Sequence, residues 1–106
     1  MDLAAWQSWW KDFGGAELRH LLLLWWDPIG VYGVHEARDE YDGYSGQIAR
    51  MLREGADASA VAQFLDEVAV QRMGLRRAPD HEAAVADRII EWYDRAIASA
   101  DAHRVP

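Results

Sequence analysis

The sequence predicts an all-α fold, a compact single-domain bundle of about five helices, on three observations. Apolar residues recur at spacings of three and four through every long segment. No segment alternates with period two, and threonine is absent from the 106 residues. The joints between the periodic segments are short and carry glycine, proline or aspartate.

Asp2 is placed to cap a first, Trp-rich helix in which Leu3, Trp6, Trp10 and Phe13 form the stripe, and Gly14-Gly15 is expected to end it. A second helix is predicted from about Ala16 to Trp25. Pro28 stops it by biasing Asp27 away from helical angles. Asp27, Pro28 and Gly30 suit the first, second and fourth positions of a type I turn, and residues 27–35 read as a loop. The third helix is expected to begin between Glu36 and Asp39 and to end at Glu54, with Gly55 closing it and Tyr41, Tyr44, Ile48, Met51 and Leu52 as its stripe. Gly43 and Gly46 weaken its first turns by about 1 kcal/mol each relative to alanine, or else admit another helix at close range. Asp57 caps a fourth helix that buries Val61, Phe64, Leu65, Val68 and Met73, and Gly74 closes it, with Leu75 as the hydrophobic contact of that stop. Asp80 is expected to cap the last helix, with Val85, Ile89, Trp92, Tyr93 and Ile97 on one side and a frayed tail over 101–106.

A hydrophobic content of 51% excludes a disordered chain despite 27% charged residues. Without cysteine there is neither a disulfide frame nor a thiolate metal site. A net charge of −7 argues against a phosphate backbone as partner and permits a basic protein. The apolar run Leu21 to Trp26 falls far short of the ~20 residues of a membrane span, and Lys11 is the first basic residue, too late for a secretory signal. The expectation is a soluble cytoplasmic protein with no membrane or nucleic-acid partner and no cofactor.

Two local matches to enzyme motifs are weak. His35-Glu36-Ala37-Arg38-Asp39 imitates a zinc-protease signature with aspartate in place of the second histidine, and no third ligand is evident, so no metal is expected. Gly43-Tyr44-Ser45-Gly46 approaches a nucleophile elbow, but Gln47 replaces the closing glycine and no strand precedes it. More informative is the acidic group Asp27, Glu36, Asp39, Glu40 and Asp42. Its plainer account is that these carboxylates offset the positive end of the third helix's dipole; its functional account is a face for a basic partner, with a divalent-cation site a remote third. Trp9 and Trp10 are adjacent on a helix and point about 100° apart, so both are covered only if that helix is flanked on two sides; otherwise one becomes an interface anchor.

The run Trp26-Asp27-Pro28-Ile29-Gly30-Val31, with Asp39-Glu40-Tyr41-Asp42, Tyr44, the helix end from Leu52 to Gly55 and the Met73-Gly74-Leu75 stop, resembles the YugE-like family of small bacterial proteins of unknown function. The resemblance covers residues 18–75 and leaves out the Trp-rich first helix and the last helix. It implies a compact helical fold and no known catalytic residues. Some small acidic proteins of this general kind act as immunity factors. The resulting expectation is a non-enzymatic binding protein that engages a basic partner, such as a toxin it neutralises, through Asp27, Glu36, Asp39, Glu40, Asp42, Trp9 and Trp10. The rival is a structural or regulatory homodimer built on the first helix, with a small-ligand or metal-dependent enzyme a distant third.

Overall fold

The computed structural model describes residues 1–30, 33, 34, 39 and 41–102, and these fold into four helices with no strand among them. The all-α expectation holds, with four helices in place of five. The difference lies at Gly14-Gly15. Both glycines keep right-handed helical angles, with φ of −61° and −63°, and the chain passes through them as one helix over residues 3–26. Its consecutive stretches are Leu3–Trp9, Trp10–Gly14, Gly15–Leu21 and Leu22–Trp26, and the second and fourth are wider turns closed by i→i+5 bonds, such as Gly15 N–H to Trp10 O and Asp27 N–H to Leu22 O.

The glycines serve packing rather than termination. A Cβ on Gly14 would come within 2.5 Å of the Trp9 ring, and one on Gly15 within 3.0 Å of the Trp10 carbonyl oxygen. Asp2 caps this helix as expected, its Oδ1 accepting from Ala5 N–H at 2.8 Å. Of the expected stripe, however, Leu3 and Phe13 lie on the surface.

The second helix, Asp42–Arg53, starts later than expected, because Asp39 and Tyr41 belong to turns; residues 31, 32, 35–38 and 40 lie outside the described set. It ends at Gly55, whose φ of +87° lets Ala56 N–H reach back to Met51 O at 2.9 Å. The third helix joins Ala58–Glu67 to a wider turn, Val68–Arg72. Asp57 caps it through Ala60 N–H, and it closes at Gly74 with Leu75 N–H bonded to Ala69 O. The last helix, Pro79–Ala102, begins with Pro79 itself. Proline suits this first position because it lacks the N–H that would be left unpaired there, and Asp80 lies inside the first turn and is not the cap. The helix continues through Asp101 and Ala102, where a frayed tail was expected; 103–106 lie outside the described residues.

One core joins all four helices through Leu18, Leu22, Trp26, Ile48, Leu65 and Ile89, each essentially inaccessible. The third and last helices pack along each other, and the N-terminal helix lies across the second and the last. Phe64 and Met73, expected to be buried, and Trp92 and Tyr93 of the last helix's stripe are only half-buried against it. No helix among the described residues is long and apolar enough to cross a membrane.

Candidate functional site

The corner predicted at Trp26 to Gly30 is a rigid joint. Asp27 takes left-handed angles (φ 36°, ψ 55°), which end the N-terminal helix and which aspartate tolerates better than most side chains. Gly30 N–H closes the four-residue turn on Asp27 O at 3.1 Å. Tyr41, buried to 1% exposure, binds this corner from the second half of the motif. Its hydroxyl donates to Asp27 Oδ1 at 2.8 Å and accepts from Ile29 N–H at 3.2 Å, and its ring packs on Trp26 at 5.3 Å. Tyr44 adds an edge-on contact to the same indole at 6.1 Å.

From the other side, His81 Nε2 donates to the Trp26 carbonyl, one of the groups a helix end leaves without an intrahelical partner. Beside it lies Glu82, 2% exposed. Burial raises its carboxyl above the ordinary range, while the nearby Trp26 indole and His81 hold it down and Asp66 raises it further. Trp26 Nε1 and Glu82 Oε2 are both buried without a hydrogen-bond partner among the described residues.

The predicted acidic face is therefore partly spent on the fold. Asp27 is bonded to Tyr41, Asp42 stands 3.8 Å from Arg19 with both side chains 42% exposed, and Asp39 is exposed in a turn whose carbonyl accepts Asp42 N–H. Glu36 and Glu40 lie outside the described residues, as does His35 of the zinc-like match; no group of three His, Asp or Glu among the described residues could hold a metal. Ser45 is buried in the second helix with its Oγ bonded to the Asp42 carbonyl, which rules out a nucleophile elbow there.

Trp9 and Trp10 are both half-buried, because the helix is indeed flanked on two sides. Trp10 stacks on Trp6 at 5.7 Å and 7°, whereas Trp9 meets Trp92 at 6.1 Å and Tyr93 at 6.0 Å on the last helix. Trp6 Nε1 donates to Tyr93 Oη at 2.8 Å; burial raises the phenol's pKa and this bond opposes the rise. Counting ~1.5 Å per helical residue, Trp9 is about 27 Å from Asp27, so the aromatics and the acidic corner occupy opposite ends of one helix.

Sequence reasoning missed a groove of about 540 Å³ between the N-terminal and last helices. Ala5, Trp9 and Phe13 form one wall, Ala96 and Ala100 the other, and Glu17 stands in its lining. Residues four apart on an α-helix drift by ~40° per step, and the wide turn over Trp10–Gly14 takes up that drift, which helps Trp9, Phe13 and Glu17 share one side. Trp92 Nε1 donates to Glu17 Oε2 at 2.8 Å and orients the carboxylate, while Phe13 is 64% exposed at the rim. The signal that could have revealed the groove is the pairing of this four-residue spacing with the alanines of the last helix. No protein-family model matches the chain, nor does any curated protein or any solved structure.

Proposed function

We propose that the protein is a non-catalytic binding protein that takes an apolar, basic helical segment of a partner into the groove between its N-terminal and last helices. The observation that carries this reading is an open groove, walled on one side by alanines, with an exposed phenylalanine at its rim and an oriented carboxylate in its lining. Helix-in-groove recognition requires such a surface: a channel for apolar side chains and a fixed charge that selects register. Glu17 and the net charge of −7 favour lysine and arginine on the visitor. The exposed Asp39, with the carboxylates around it in sequence, would then steer a basic partner from a distance rather than flank the anchor.

Neutralising a basic toxin in the manner of an immunity protein is the specific role that suits this chemistry. We also propose kinship with the YugE-like proteins. Its support is that Tyr41 bonds the two halves of the motif carrying the resemblance, so each half has a physical reason to accompany the other.

A synthetic amphipathic peptide of leucine and lysine provides the test. It should bind the wild type, and Ala96→Trp, which fills the groove, and Phe13→Ala should each weaken it, by about ten-fold for loss of a well-packed anchor. A leucine–glutamate peptide should fail to bind. Equal binding of the lysine peptide to wild type and Ala96→Trp would refute the groove as its site. A homodimer is the second reading, favoured by the exposure of Phe13 and Leu3. A dimer in light scattering that Ala96→Trp dissociates would assign the groove to a second copy of the chain.

A further inference from the structure

A smaller cleft of about 180 Å³ opens between the N-terminal and second helices, bounded by Trp6, Gln7, Trp10, Gly46, Arg50 and Arg53. Its charge is unusual for this molecule. The protein is strongly acidic, yet the cleft presents two guanidinium groups and no carboxylate. Neither arginine forms an ion pair among the described residues, and Arg53 lies 5.6 Å over the Trp6 ring. Gly46 is equally unaccounted for by the fold. It sits inside a helix, where glycine is disfavoured, and a Cβ there would meet nothing within 4 Å. Its angles are right-handed and helical, so no backbone strain demands it. What it leaves open is the floor of the cleft.

Cations in a helix's last turn are favoured by the dipole alone. That accounts for where Arg50 and Arg53 stand along the helix, but not for a glycine-floored cleft beneath them or for the stacked indoles at its wall. We propose that this cleft binds a small organic carboxylate, its apolar body against Trp6 and Trp10 and its charged end on Arg50 and Arg53. Guanidinium forks match the planar, two-oxygen geometry of a carboxylate, and the amide of Gln7 adds a donor. The indole faces suit a flat or short apolar body, which separates this site from one for a free inorganic anion. The cleft is distinct from the larger groove, which lies toward the other side of the N-terminal helix and is walled by the last helix.

Benzoate is the probe, followed through the indole N–H resonances of Trp6 and Trp10 in 15N-labelled protein, identified with Trp6→Phe and Trp10→Phe. Both resonances should shift saturably. Arg50→Gln and Arg53→Gln should each weaken binding by about ten-fold, as loss of a charge-assisted bond requires. Gly46→Leu should abolish binding while the helical circular dichroism persists, since its side chain fills the cleft and nothing else. Shifts that never saturate, shifts that survive the double arginine substitution, or inorganic phosphate binding as tightly as benzoate at equal ionic strength would each overturn the proposal.

Discussion

Tyr41 holds its hydroxyl between the Asp27 carboxylate and the Ile29 amide, while its ring fills the core beside Trp26. A phenylalanine would keep the packing and lose both bonds. Tyr41→Phe should therefore lower unfolding free energy by about 1.5–3 kcal/mol in urea titrations, in the range of a bond to a charged acceptor. Asp27→Asn should cost less, because asparagine tolerates the left-handed angles and retains an oxygen acceptor. If binding of the lysine peptide follows these losses of stability, the corner acts through folding and not as a contact surface.

At the level of whole elements, the N-terminal helix depends on glycines for packing and the second helix carries glycines that the fold does not use. A Cβ on Gly14 would collide with the Trp9 ring, itself held between Trp10, Trp92 and Tyr93 and hard to displace. Gly14→Ala gains helix propensity of about 1 kcal/mol but overpacks this cluster, at a typical cost of 1–3 kcal/mol, so it should be neutral to destabilising. Gly46→Ala meets open space and should stabilise by up to about 1 kcal/mol. Chemical denaturation of the two variants side by side checks the contrast. Gly46→Ala as the more destabilising of the two would contradict the assignment of each glycine.

Over the whole molecule, the Cα trace extends 48 × 30 × 17 Å, thin in one direction. A body so shallow has few positions covered on every side, so Trp9, Trp92 and Tyr93 end up half-buried and an open groove runs beside them. The joint where the end of the N-terminal helix meets the third and last helices contains the buried Glu82. The groups facing it are Trp26, His81 and Asp66. Because its folded pKa lies above the ordinary value of 4.5, the folded state binds more protons than the unfolded state between those two values. Stability should therefore fall as pH rises through that window and stay lowered above it. Glu82→Gln, which mimics the neutral acid, should match the wild type in melting temperature at pH 4 and exceed it at pH 7. A wild-type advantage at pH 7 would show that the ionised carboxylate is stabilised in place.

Local rules were enough for much of this protein. The helical class, the caps at Asp2 and Asp57, the left-handed closures at Gly55 and Gly74, and the corner closed on Asp27 follow from the spacing of apolar residues and from backbone preferences, which act within a few residues. Residues that act across the fold were not legible in the same way. Gly14-Gly15 carries the signature of a helix end, yet a break there would have pulled Trp9 away from the last helix. The aromatic cluster overrides glycine's poor propensity and makes one helix of two. Tertiary packing alone also decided that Tyr41 would bind Asp27, that Trp9 and Trp10 would both be half-covered, and that alanines of the last helix would face Phe13 across a groove. These pairings join residues 14, 83 and 87 positions apart. Propensity and periodicity describe one segment at a time, whereas contacts at such separations depend on how the helices cross.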